Sequence, residues 1–203
     1  NKHGRRTMYD WCDKAYEEVK AMDEEYSNWL CIPKSVRMTS IKPSGTVSLL
    51  NGSTPGIHFP EDEYYIRRIR FSQDSEILPE LEKAGYNIEV DVYSPNTMCV
   101  DFPVHEPYFL KGKRDISMWE QLEIAAQYQH YWADNSVSIT VTFKPEEASQ
   151  IKAALELYES RLKAVSFLKY EETGYKQAPY EPISMEEYQQ MIDSITPIQR
   201  LKA

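Results

Sequence analysis

The sequence predicts an α/β fold built on a largely parallel sheet or barrel, and three observations predict it. Segments with the period of a strand alternate along the chain with segments with the period of a helix. The 12 prolines and 7 glycines gather in the connections, with no low-complexity linker and no internal repeat. One stretch, Ser136–Phe143, alternates Val137, Ile139, Val141 and Phe143 with Ser136, Ser138, Thr140 and Thr142, the two-residue period of an extended strand. Right-handed crossovers between parallel strands would put the helices outside them.

The elements follow in order. Met8, Trp11, Ala15, Val19, Met22, Tyr26 and Leu30 fall on one helical stripe, closed by Pro33. Ser40-Ile41-Lys42 ends a short extended stretch, because Pro43 biases the residue before it towards β geometry. A Ser-Gly-Thr turn and a short apolar run, Val47–Leu50, come next, and Gly52 to Pro60 reads as a loop. Tyr64–Phe71 is strand-like, Glu76–Ala84 a short helix stopped by Gly85, and Asn87–Val92 and Thr97–Val104 two further strands. Ser117–Ala133 reads as a helix ahead of the Ser136–Phe143 strand. Pro145-Glu146-Glu147 then opens a helix, with proline at the first position and acids facing the dipole. Its expected buried stripe is Ala148, Ile151, Leu155, Tyr158 and Leu162. Ala164–Leu168 looks like a buried strand, and a last helix lies near Met185–Ile192. The hydroxyl face of Ser136–Phe143 leaves two readings open: it lines a ligand-bearing interior, or the strand is an edge with one wet face.

The composition narrows the function classes. The 203 residues carry a net charge of -9, which argues against nucleic acid or anionic membrane as a partner and makes any phosphate site local. A 41% hydrophobic content supports a packed core, treated as a single domain over residues 1–203. No apolar run is long enough to span a bilayer, and no signal-peptide pattern opens the chain, which starts at Asn1 as a piece of a longer protein would. Cys12, Cys31 and Cys99 form no CxxC pair, an odd count that suits a reducing cytoplasm.

The most informative segment is Lys42-Pro43-Ser44-Gly45-Thr46-Val47-Ser48. A strand end, a turn of small residues and a helix start make an anion site, because free backbone N–H groups point outward and the helix dipole favours negative charge. Gly45 would let a phosphate reach the backbone, and the hydroxyls of Ser44, Thr46 and Ser48 would add donors. The same residue types also make an ordinary helix N-cap. The spacing is neither that of a P-loop nor of a Rossmann glycine fingerprint.

Other candidates carry less. His58 with Glu61, Asp62 and Glu63 reads as a solvated acidic loop, since neither H-x-x-x-H nor H-E-x-x-H occurs, and no metal site is expected. His130 and Asp134 lie one helical turn apart and read as a surface pair or helix-end contact. Arg67, Arg68 and Arg70 could meet a phosphate, but the abundant carboxylates favour ion pairs. The 15 tyrosines read as packing.

Several blocks, in order, resemble adenosylcobalamin-dependent (class II) ribonucleoside-triphosphate reductases. Ile41–Ser48 followed by Gly56-Ile57-His58-Phe59 is similar to that family's phosphate-loop region. Ile66–Phe71, Asn96–Pro103, Tyr131–Ser138 with Thr140–Phe143, and Gln177–Ile183 complete the series, which runs from about Glu24 to Ile195. The resemblance implies the second half of a ten-stranded α/β barrel, with largely parallel strands and outer helices. It also implies that Pro43, Ser44, Gly45, Thr46 and Val47 hold the substrate phosphate.

The family chemistry implied is reduction of ribonucleoside triphosphates to deoxyribonucleoside triphosphates. A thiyl radical, generated with adenosylcobalamin on a cysteine in an N-P-C-x-E-like loop, abstracts the 3′ hydrogen, and the 2′ hydroxyl leaves as water. Two further cysteines supply the electrons, and their disulfide is reduced through a C-terminal cysteine pair and a thioredoxin-like dithiol. None of these cysteine contexts occurs here, so no catalytic residue is expected in this chain, which alone would lack turnover, and its contacts to the cofactor are unassigned. Cys12, Cys31 and Cys99 read as structural. The expected partners are the triphosphate substrate, the reductant and the remainder of the reductase chain, in the cytoplasm. The other readings are a non-catalytic phosphate- or nucleotide-binding module, and a structural half-barrel.

Overall fold

The computed structural model describes residues 4–44, 48, 53–170 and 176–198. The chain divides into two compact units, Asn1–His58 with Ile116–Tyr170, and Phe59–Asp115 with Glu171–Ala203.

The first unit opens with helix α1 (Gly4–Leu30), which ends in a Schellman motif: Ile32 N–H reaches the Ser27 carbonyl at 3.0 Å and Cys31 N–H that of Asn28 at 3.3 Å. Cys31 takes the left-handed position, φ 53°, that glycine usually fills. Helix α3 (Met118–Tyr131) starts where expected, with the Ser117 hydroxyl accepting from Glu120 N–H at 3.1 Å. It buries Met118, Leu122, Ala125 and Ala126 against Val137, Ile139 and Val141. Strands β4 (Thr140–Phe143) and β5 (Ser166–Lys169) pair in parallel, and a parallel bridge joins Ile41 to Val137 on the other side of the β4 segment. Between them lie a 3-10 helix, Pro145–Gln150, and α4 (Ile151–Tyr158).

The 3-10 segment corrects the expected helix phase. Glu147 turns inward, its carboxylate accepting from Met118 N–H at 3.0 Å and Lys144 N–H at 2.9 Å. The tighter winding rotates the residues that follow. Ala154 is therefore buried while Ala148 and Leu155 face out, and Ile151, Tyr158 and Leu162 pack inward as expected.

Two glutamines of α3 bond the backbone of the β4 segment. Gln121 donates to the Thr142 carbonyl at 2.7 Å and accepts from Thr142 N–H at 3.0 Å, which imitates a neighbouring strand. Gln129 accepts from Val137 N–H at 3.1 Å.

The second unit holds β1 (Tyr64–Ser72), α2 (Leu78–Lys83), β2 (Ile88–Val90), β3 (Thr97–His105), β6 (Tyr180–Pro182) and α5 (Met185–Ser194). Its sheet runs β2-β3-β1-β6, and every pairing in it is antiparallel. The expectation of largely parallel strands therefore fails for this unit, and among the described residues parallel pairing is confined to the first. Leu78, Leu81 and Val100 form its core, with Phe71, Tyr86 and Phe102 packed around them. Helix α2 ends in a Schellman motif at Gly85, φ 90°, where a Cβ would lie 2.5 Å from the Ser194 carbonyl oxygen.

Candidate functional site

The extended segment before Lys42 is positioned by the turn that leads into β4. Ser138 N–H donates to the Ile41 carbonyl and Asn135 N–H to that of Thr39, both at 3.0 Å. The Thr39 hydroxyl donates to the Trp132 carbonyl and accepts from Asp134 N–H at 3.1 Å. The strand therefore ends at a fixed place, with Lys42 and Ser44 leaving its carboxyl end.

Lys42 Nζ donates to Ser138 Oγ at 2.7 Å. Ser44 Oγ accepts from the backbone N–H of helical Ser48 at 2.7 Å. The Ser48 hydroxyl is buried with no hydrogen-bond partner among the described residues. Of the expected phosphate-binding residues, Pro43 and Ser44 are exposed at this turn, and Gly45, Thr46 and Val47 lie outside the described residues.

A cavity of about 190 Å³ adjoins the turn, lined by Pro43, His58, Ser136, Ser138, Thr140 and Ser166 among others. The hydroxyl face of the β4 segment thus lines a hollow while Val137, Ile139 and Val141 fill the core behind it. The segment is not an edge, since Ile41 bridges it on one side and β5 pairs with it on the other. The Lys42 ammonium on Ser138 and the other hydroxyls of the lining suit an anion better than a cation or an apolar ligand.

His58, which the sequence offered only as a weak metal candidate, closes this hollow. Its Nε2 accepts from Thr140 N–H at 3.0 Å. A backbone amide can only donate, so Nε2 carries the lone pair and Nδ1 the proton, which goes to the Pro55 carbonyl at 2.8 Å. Gly56, φ 58°, brings that loop against Pro43 and Ile41. Nothing in the spacing of single residues signals this role; only the Gly56–Phe59 block marked the segment.

A larger cavity of about 630 Å³ lies at the carboxyl ends of α3 and α4, with Tyr9, Glu123, His130, Asp134, Arg161 and Lys163 in its wall. Its charges are spent within the wall. Arg161 grips Glu123 at 2.9 and 3.1 Å, which holds the Glu123 carboxyl below its usual range, helped by Gln127 and Tyr158 against the effect of burial. Asp134 accepts from Tyr16 Oη at 2.9 Å and Met38 N–H at 3.1 Å, so its partner is not His130. Size alone therefore does not make this the site.

The remaining candidates are engaged in contacts within the fold. Arg68 pairs with Asp101 at 2.9 Å and Glu181 at 2.5 Å, and Arg70 with Asp91 at 2.5 Å. Arg67 stacks over the Tyr180 ring, 4.3 Å from its centroid. Cys99 is buried on β3, and desolvation first of all pushes its thiol up, as it does that of Cys12, which disfavours the thiolate a redox role needs. Among the described residues no three or more His, Cys, Asp or Glu side chains gather as metal ligands, and no helix is long and apolar enough to cross a membrane.

No family model matches the sequence. A probable adenosylcobalamin-dependent ribonucleoside-triphosphate reductase of Dictyostelium discoideum is 46% identical over 97% of this chain and 26% of its own length. The enzyme of that name from Euglena gracilis is 45% identical over 95% of this chain and 27% of its own length. A solved B12-dependent (class II) ribonucleotide reductase matches with a TM-score of 0.86 and 37% identity, covering 96% of this chain and 28% of that one. Over nearly its whole length the chain is similar to one part of adenosylcobalamin-dependent ribonucleoside-triphosphate reductases. It spans about a quarter of the length of the curated relatives it matches.

Proposed function

We propose that this chain is the substrate-phosphate-holding part of a ribonucleotide reductase that converts ribonucleoside triphosphates to deoxyribonucleoside triphosphates by a cobalamin-generated thiyl radical. The observation that carries it is the end of the Ile41 segment, where Lys42 bonds Ser138 in the wall of a hydroxyl-lined hollow, Pro43 lines that hollow, and Ser44 takes the Ser48 amide. In this reading Pro43, Ser44, Gly45, Thr46 and Val47 bind the phosphate chain, and the ribose extends towards the reacting residues on the remainder of the reductase.

Both units then belong to one catalytic barrel domain, of which this chain is the second half. Two features support further chain packing here. Among the described residues β5 pairs only with β4, so its other edge is open to a strand. The apolar stripe of α1 is exposed, with Trp11 at 58% and Leu30 at 67%.

Adenosylcobalamin is much larger than the ligands that cavities of a few hundred Å³ enclose. Neither the 190 Å³ nor the 630 Å³ cavity fits it, so the remainder of the reductase would hold it, where it supplies the homolysis that starts the radical. A thioredoxin-like dithiol would return the electrons, and the three free thiols of this chain suit a cytoplasmic setting.

The test is Ser44→Ala and Gly45→Val in the full-length reductase. Both should raise KM for the triphosphate with kcat nearly unchanged; an unchanged KM in both removes the phosphate assignment.

A further inference from the structure

We infer that His58 is a positioning residue for the substrate-phosphate turn, acting through the Pro55–His58 loop on Pro43. The inference rests on the phosphate reading of residues 43–47. His58 bonds at both ring nitrogens within the first unit. Nδ1–H donates to the Pro55 carbonyl, which also accepts the His58 backbone N–H at 3.1 Å, so the ring and the backbone close the same turn. Nε2 takes the Thr140 amide at 3.0 Å.

That amide lies on the edge of the β4 segment, two residues beyond Ser138, whose own amide is the last to reach the Ile41 carbonyl. His58 therefore takes up the edge where the Ile41 strand leaves it. The loop it anchors carries Gly56 in the left-handed region. There the ideal Cβ position is 3.4 Å from Pro43 N and 3.5 Å from Ile41 Cγ2, so loop and turn touch backbone to backbone. Anchoring the loop to β4 fixes the wall against which Pro43 rests, and Ser44 follows it directly. The ring also lines the same 190 Å³ hollow as Pro43 and Ser138.

Neither nitrogen is available to substrate, so His58 binds no phosphate and passes no proton; it sets where the turn stands. Only the orientation of the phosphate donors depends on it, so its loss should weaken substrate binding and spare the chemical step.

The experiment uses the full-length reductase with adenosylcobalamin, a dithiol and a ribonucleoside triphosphate. His58→Phe keeps the ring and loses both bonds. His58→Gln can place an amide oxygen where Nε2 accepts, and His58→Asn keeps only the donor towards Pro55. The expected result is a KM raised about tenfold in Phe and Asn, with kcat within about twofold and Gln close to wild type, the tenfold being what about 1.4 kcal/mol produces. Combined with Ser44→Ala, His58→Phe should add little to the KM change of either alone, because both act on one turn. If Ser44→Ala raises KM and His58→Phe does not, the positioning role is overturned while the phosphate reading stands. If Ser44→Ala leaves KM unchanged, the phosphate reading itself fails. Lowered kcat at constant KM, or failure of all three His58 variants to fold, assigns His58 to something other than the turn and overturns the inference.

Discussion

Replacing Glu147 by glutamine should loosen the first unit more than any other single-atom exchange on its surface or in its core. The Glu147 carboxylate accepts from Met118 N–H at 3.0 Å and from Lys144 N–H at 2.9 Å, using both oxygens, and the residue is only 8% exposed. Met118 is the first residue of α3, so the bond also places negative charge at a helix N-terminus. Glutamine keeps one acceptor and turns an NH2 towards the other amide, leaving it unpaired. A hydrogen bond to a charged group is worth about 1.5–3 kcal/mol, and loss of the charge near the dipole adds about 0.3–1 kcal/mol. The sum is a loss of about 2–4 kcal/mol, or a fall in melting temperature of roughly 5–10 °C for a chain of this size. Circular dichroism melts of the wild-type chain, Glu147→Gln and the exposed neighbour Glu146→Gln measure it. A fall of less than about 2 °C, or the same fall in Glu146→Gln, would refute the reasoning.

Three further outcomes follow from the same contacts. Gly85→Ala should destabilise the second unit by about 2–4 kcal/mol in denaturant titration, since it combines a left-handed backbone with a Cβ 2.5 Å from the Ser194 oxygen. Cys31→Gly should stabilise α1 by about 0.5–1 kcal/mol, because glycine relieves the φ 53° cap; amide exchange at Ile32 would slow. Asp91 is held below the usual carboxylate range first by the Tyr93 amide, then by Arg70 and the Ser94 amide working against desolvation. Its folded value is depressed, so its stabilisation is present above the ordinary carboxylate value and is lost as pH falls through the lowered one. Acid unfolding of the second unit, followed by the fluorescence of its tyrosines, should therefore lose part of that acid limb in Asp91→Asn.

Local chemistry was legible in the sequence where one residue decides it. Ser117 caps α3, Gly85 ends α2, and the alternation of Ser136–Phe143 sends Val137, Ile139 and Val141 into the core. Partner direction was not legible. Tyr64–Ser72 and Thr97–His105 alternate as strands do in either sense, and nothing in that period distinguishes their antiparallel register from a parallel one. The α1 stripe was legible as an apolar face, but periodicity does not say what covers it, and Trp11, Tyr26 and Leu30 stand exposed. Ala148 and Leu155 were misplaced because Glu147 turns inward to reach α3, a long-range bond that local pattern does not contain. At the candidate site, Lys42 and Ser44 were visible as residue types. Their ties to Ser138 and Ser48, and that of His58 to Thr140, required the fold.

The most direct test of the central claim is deoxynucleotide formation from a ribonucleoside triphosphate by the full-length protein that carries this sequence, with a dithiol, in the presence and absence of adenosylcobalamin. The account predicts product only with the cofactor, and a KM for the triphosphate that rises when Ser44 is replaced by alanine. No product from the folded full-length protein with cofactor and dithiol would contradict it and leave a phosphate-binding or structural module in its place.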